Sequence, residues 1–189
     1  MTDHKPDALV PSSRPGALAK RPSGDLVARG LADLEALRQA MPDAEECFQR
    51  GERLYGAGTH AEAVIWYRRA AEQGHVAAQV NLGFMYADGE GVPQDDVEAV
   101  RWYRLAADQG FAAAQFNLGV KYATGRGVPQ DDVQAHMWFN LAASRLMTDE
   151  LRERAVQRRD NVADRMNPTQ IAEAQRLTRE WDAAHPREP

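Results

Sequence analysis

Between residues 76 and 107 the apolar positions fall on two helical stripes separated by a turn, and the pattern returns 36 residues later. On the first stripe Leu82, Gly83 and Tyr86 share a face. On the second, Ala99, Trp102, Tyr103, Ala106 and Ala107 recur at i, i+3, i+4, i+7 and i+8. The spacing predicts helices over 76–88 and 95–109, joined by Gly89-Glu90-Gly91-Val92-Pro93-Gln94. Gly89 and Gly91 suit a tight reversal, and Pro93 cannot continue a helix. Asp95 or Asp96 then caps the next helix, where negative charge meets the positive end of the helix dipole. The third unit repeats the signals with Gly125, Gly127, Pro129, Asp131 and Asp132.

The copies are close. From Val76/Ala112 to Ala107/Ala143, 21 of 32 aligned residues are identical. A fixed period of this size marks a solenoid, whose units bury their apolar faces only by stacking. The units read as 44–75, 76–111 and 112–147. In the first, Gly51 to Ala63 spans 12 residues where Gly83 to Ala99 spans 16. Its inter-helix loop, around Gly58-Thr59-His60, is therefore four residues shorter. Gly51, Gly83 and Gly119 each lie inside a helix at a cost of about 1 kcal/mol against alanine, so close packing is expected there.

The flanks differ. Residues 1–24 carry Pro6, Pro11, Pro15 and Pro22 among polar residues and are expected to be a disordered tail. Over 25–43, Leu26, Val27, Leu31, Leu34, Leu37 and Met41 predict an amphipathic leader helix, which either packs on the first unit or needs a partner of its own. After Ala143 the repeat stops. Thr148-Asp149-Glu150 opens a helix to about Met166, and Asn167-Pro168 caps another to about Ala184. Residues 148–185 therefore read as capping helices, with apolar faces Leu151, Ala155, Val162, Met166 and Ile171, Ala174, Leu177, Trp181 beneath a polar exterior.

Charge narrows the functions. The 189 residues carry net −5, divided as +2 over 1–24, −7 over 25–144 and 0 over 145–189. An acidic repeat body disfavours nucleic acid as the main ligand. No stretch reaches the about 18 apolar residues of a membrane helix, and the N-terminus has no apolar signal core. One cysteine, Cys47, excludes an internal disulfide; a buried thiol in a cytoplasmic protein is the simplest account.

At 78–107 and 114–143 the residues spell A-x-x-N-L-G-x-x-Y-x-x-G-x-G-V-x-x-D-x-x-x-A-x-x-W-[YF]-x-x-A-A. This motif resembles the Sel-one-like repeat family, a branch of the tetratricopeptide-repeat superfamily, and the likeness extends over roughly 44–184. It implies an all-α solenoid of antiparallel helix pairs, a right-handed superhelix of about three repeats plus a C-terminal capping pair. It also implies a non-catalytic scaffold for protein–protein contacts and complex assembly, often in bacterial signalling.

The resemblance places a groove along the first helix of each pair. Counted from Gly51, Gly83 and Gly119, its positions are Phe48, Gln49, Glu52 and Tyr55; Val80, Asn81, Phe84 and Asp88; Phe116, Asn117, Val120 and Thr124. Clamps in related proteins that hold a peptide's terminal carboxylates place cations there. Here phenylalanine and valine stand in their place, so the expected ligand is an apolar peptide or helix, with Asn81 and Asn117 serving its backbone. Self-association through the leader helix is a further reading. A β-lactam-binding or hydrolysing activity, linked to cysteine-rich relatives, is another, although no Ser/Lys or Ser/His constellation is present.

No cofactor or metal is expected. The Gly-x-Gly turns lack the strand and lysine of a phosphate loop. The aspartate pairs read as solvated caps, the five histidines show no ligand spacing, and Trp66, Trp102 and Trp138 read as packing.

Overall fold

The second unit shows how the repeated residues make a hairpin. In the computed structural model, which describes residues 42–146 and 148–186, Val76–Asp88 and Asp96–Asp108 are helices. The first ends at Gly89 in the left-handed region at φ 75°, and the second begins at Asp95. Asp95 Oδ1 accepts hydrogen bonds from the Val97 and Glu98 amides at 2.9 and 3.1 Å. Between the helices, the Glu90 and Asp95 amides donate to the Met85 and Tyr86 carbonyls at 2.9 Å, closing the turn.

Numbered in chain order, the helices among the described residues are α1 Ala44–Gly56, α2 His60–Glu72, α3 Val76–Asp88 and α4 Asp96–Asp108, then α5 Ala112–Thr124, α6 Asp132–Arg145, α7 Asp149–Ala163 and α8 Pro168–Ala184. No strand occurs among these residues. The pairs α1/α2, α3/α4 and α5/α6 form hairpins, with α2 against α3 and α4 against α5. This is the expected all-α solenoid. The expected tail 1–24 and all of the leader helix except Pro42 and Asp43 lie outside the described residues. Asp43 is extended and caps α1, accepting from the Glu46 amide at 2.8 Å.

Each in-helix glycine has one partner. A Cβ at Gly51, Gly83 or Gly119 would sit 2.6, 2.7 or 2.8 Å from the ring of Tyr67, Tyr103 or Phe139. The missing methyl lets each ring, buried on the second helix, approach the first closely. Burying such a ring contributes roughly 1.5–3 kcal/mol, which outweighs the cost of glycine in a helix.

The second glycine of each turn locks one unit onto the preceding one. Gly91 (φ 72°) lies against the start of α2, where a Cβ would meet the His60 carbonyl carbon at 2.4 Å. Gly127 (φ 78°) lies likewise against the start of α4, with the Asp96 carbonyl oxygen 2.1 Å from a Cβ. Both the backbone angle and the space exclude a side chain.

At the C-terminus, α7 and α8 each pack against α6 rather than against each other. Helix α7 ends at Ala163, short of the expected Met166, because Asn167 is extended to cap α8 and Pro168 occupies its first turn. Asn167 and Gln170 exchange side-chain and backbone hydrogen bonds at 2.9 Å, a capping box. Through α8, Trp181 meets Trp138 edge-on at 6.1 Å. Cys47 is a free, buried thiol.

Candidate functional site

The first helices of the units share one face. Between α1 and α3 this face holds a hollow of about 270 Å³ lined by Glu52, Tyr55, Tyr67, Asn81, Phe84 and Met85. Phe84 stands over it with 42% of its surface exposed, although it is large and apolar. The Glu52 carboxylate accepts from the Tyr67 hydroxyl and from Asn81 Nδ2, the latter at 2.9 Å. Tyr55 stacks on His60 with ring centroids 4.7 Å apart and donates its hydroxyl to Glu90 at 2.7 Å.

Both phenols stay protonated donors. Burial, then the Glu52 hydrogen bond, raises the Tyr67 phenol well above its ordinary range. The hydrogen bond to Glu90, then burial, raises Tyr55. The Tyr67 hydroxyl and the Asn81 amide, both neutral, are the donors that hold Glu52.

In the third unit the equivalent face continues but is partly covered. Phe116 packs edge-on against Phe139 at 5.5 Å, and Val120 belongs to the same apolar cluster, which includes Val162 of α7. A hollow of about 220 Å³ is bounded by Ala113, Phe116, Asn117, Leu146, Leu151 and Arg154. A second, of about 190 Å³, lies among Val120, Thr124, Arg158, Asn161 and Arg165.

The nine expected groove residues therefore divide. Glu52 and Phe84 are exposed; Tyr55, Asn81 and Asn117 are half-buried at the hollows. Phe48, Val80, Phe116 and Val120 are half-buried and packed against the core. Phe48 stacks on His75 at 4.3 Å. Asn81, expected to serve a ligand's backbone, already donates to Glu52.

Sequence reasoning missed the contribution of α7. Leu151, Arg154, Arg158 and Asn161 of α7, with Arg165 just beyond its end, line these hollows. Their spacing of three and four residues is the stripe that identifies a helix face.

The aspartate pairs need correcting. Asp95 and Asp131 are caps, but Asp96 and Asp132 are ion-pair staples rather than solvated caps. Asp96 meets Lys121 at 2.5 Å and Arg126 at 3.1 Å; Asp132 meets Arg165 at 2.5 Å. A residue one position further along the turn projects toward the following unit. Burial raises the Asp96 carboxyl, but hydrogen bonds from Lys121 and Arg126 outweigh it and hold the group below its ordinary range.

Trp102 and Trp138 are buried, and Trp66 lies under the Arg50 and Arg69 guanidiniums at 4.1 and 4.7 Å, so the tryptophans are packing groups. No cluster of three or more metal-ligating side chains occurs among the described residues, and no helix there is long and apolar enough to cross a membrane.

The Sel1 repeat family matches residues 44–75, 76–111 and 112–145. The chain belongs to the Sel1 repeat family. Among solved structures it is similar to a protective antigen of uropathogenic Escherichia coli strains displaying an SLR fold: 31% identity, TM-score 0.68, 80% of this chain and 32% of that one. It is also similar to a Sel1 repeat protein from Oxalobacter formigenes: 34% identity, TM-score 0.55, 68% of this chain and 98% of that one. A curated relative, the exopolysaccharide production negative regulator of Rhizobium leguminosarum bv. viciae, is 49% identical over 51 residues. That match spans 27% of this chain and 19% of the relative, and the chain spans about a third of the antigen. Sel1 repeat proteins are helical scaffolds, typically of protein interactions, and this chain has their architecture.

Proposed function

We propose that the chain is a non-catalytic protein-interaction scaffold that holds an apolar segment of a partner on the face formed by α1, α3, α5 and α7. The observation that carries this is Phe84, a large apolar side chain left exposed over a hollow bounded by Glu52, Tyr55 and Asn81. Exposed aromatic groups beside concave surfaces mark interfaces. Asn117 fixes a ligand's orientation, while Phe116 and Val120 extend the apolar strip.

A chemical step has little support. Ser144, the one serine among the described residues, donates its hydroxyl to the Leu141 carbonyl at 2.8 Å. The name of the Rhizobium relative fits a regulatory use of such a scaffold in a bacterium. A cytoplasmic setting is part of the reading, supported by the free Cys47.

The test is quantitative pull-down with the wild type and Phe84→Ala, with circular dichroism confirming that both are folded. Loss of specific partners from the variant is expected. The same partners in equal amounts from both proteins refute the assignment.

A further inference from the structure

The face that carries Phe84 is polarised in charge. At the α1/α3 end the charged group lining the hollow is Glu52, held by neutral donors only. Asp88, exposed at the end of α3, and Glu90, hydrogen-bonded to Tyr55 of the same hollow, add negative charge. At the α5/α7 end the charged liners are Arg154, Arg158 and Arg165. Arg165 is paired with Asp132, whereas Arg154 and Arg158 are exposed and have no carboxylate partner among the described residues. The Arg154 guanidinium instead lies 6.0 Å from the Phe116 ring.

Ion pairing accounts for the charge at Asp96 and Asp132 and capping for that at Asp95 and Asp131, whereas Glu52 joins units one and two only through the uncharged Asn81 amide and the two arginines meet no carboxylate within ion-pair distance among the described residues. Beside these charges the hollows present uncharged side chains, Asn81 and Phe84 at one end and Asn117 and Val120 at the other. A polyanion is repelled at one pole and a polycation at the other. Only a polymer carrying both signs complements the whole face.

We propose that the occupant is a segment of a partner protein with opposite charges at a set separation: a basic residue at Glu52 and Asp88, an apolar side chain on Phe84, and an acidic residue at Arg154 and Arg158. This rests on the reading of the face as a docking surface and adds partner chemistry and charge spacing to it. Three steps between neighbouring helices of about 10 Å each separate the poles. An extended segment at about 3.3 Å per residue spans them with roughly nine residues between base and acid. Opposite charges at a set separation, not net charge, are then what the face selects, since a segment of a single sign meets like charge at one end.

The experiment is to pan a random-peptide library on the full-length chain and measure the binders by fluorescence anisotropy. Binders whose affinity is lost with Phe84→Ala are expected to carry lysine or arginine at one end and aspartate or glutamate roughly nine residues away. The double variant Arg154→Glu, Arg158→Glu, on the exposed face of α7, is expected to weaken them at least tenfold. Replacing the peptide's acids by lysine is expected to restore binding to that variant.

Phe84-dependent binders with no such charge spacing, or binders indifferent to the charge reversal, overturn the proposal while leaving the docking face intact. Absence of any Phe84-dependent binder removes the docking face itself. Displacement of the binders by a synthetic peptide of residues 25–41 assigns the face to the chain's own sequence, and displacement on dimerisation at higher concentration assigns it to a second copy. Either result also overturns the proposal.

Discussion

Units two and three have nearly the same framework, yet the same position meets different neighbours in each. Leu105 and Leu141 are equivalent and identical; the first is 41% exposed, and the second is fully buried in the cluster that includes Leu177 and Trp181 of α8. Where the sequences diverge, the divergence follows the surroundings. Met85 is buried in an apolar cluster, while its counterpart Lys121 reaches back to Asp96 of unit two. Val100 is buried among apolar groups, while His136 lies near Arg159 and Asp160 of α7. Phe84 is exposed, while Val120 packs in the cluster containing Val162. Shared residues make the hairpin; differing ones answer what lies beside it. The comparison also shows why a strict repeat binds little by itself, since a partner meets only surfaces that no further unit covers.

The sharpest way to break this comparison is to attack what the units share. Gly91→Ala and Gly127→Ala each place a methyl group within 2.4 Å or less of backbone atoms, at φ 72° and 78°. Overlap with backbone has no soft outlet, so each is expected to cost about 4 kcal/mol. Gly58→Ala is the control: φ is 78°, but nothing lies within 4 Å, so only the backbone term of about 1 kcal/mol applies. Urea denaturation of the three variants measures this. A Gly127→Ala cost no larger than that of Gly58→Ala refutes the proposed locking of consecutive units.

Much of this framework is legible in the sequence because its causes are local or repeated. The α3 and α4 limits follow from apolar spacing, and Gly83 announces a close approach that proves to be with Tyr103. The choice between Asp95 and Asp96 as cap is not legible, since both suit the helix dipole. What separates them is the Lys121–Arg126 pair, which reaches Asp96 across 25 and 30 residues. The candidate site is legible only in part. Counting from Gly83 places Phe84 on the open face, but Phe116 and Val120 are half-covered by α7, whose sequence does not repeat. For the same reason the arginines of α7 were absent from the expected groove: a motif count ends where the motif does.

The second test sharpens the comparison at Met85 and Lys121. Lys121 is buried, with its ammonium 2.5 Å from Asp96. Lys121→Met gives unit three the residue of unit two at similar volume, but Asp96 then keeps only Arg126. Removing one partner of a buried pair typically costs about 3–5 kcal/mol. Because Asp96 remains partly exposed and retains Arg126, about 2 kcal/mol is expected here. In a double-mutant cycle with Asp96→Asn, the second change is expected to cost clearly less in the Lys121→Met background than in the wild type. Full additivity shows that the pair contributes no coupling and that Lys121 acts as an apolar stem.

The smallest effect belongs to His136, which fills the place of Val100 with 5% of its surface exposed. Its Nδ1 has no hydrogen-bond partner in its buried setting. Burial, then the charge of Arg159, lowers its pKa, with Asp160 opposing. The folded protein therefore holds the ring neutral where the unfolded chain, titrating near the ordinary value of about 6.5, takes up a proton. The unfolded state binds more protons between the two pKa values. Stability from this group is thus fully present above about pH 6.5 and falls as the pH drops from there toward the lower folded value. His136→Val removes both the orphaned nitrogen and the titration. At pH 7.5 it is expected to stabilise by about 1 kcal/mol, and the gap between variant and wild type is expected to widen at pH 5. Urea midpoints at the two pH values measure it. The other described histidines contribute equally to both proteins, so parallel losses from pH 7.5 to 5 mean that α7 holds the imidazolium as readily as water does, and that His136 differs from Val100 in shape alone.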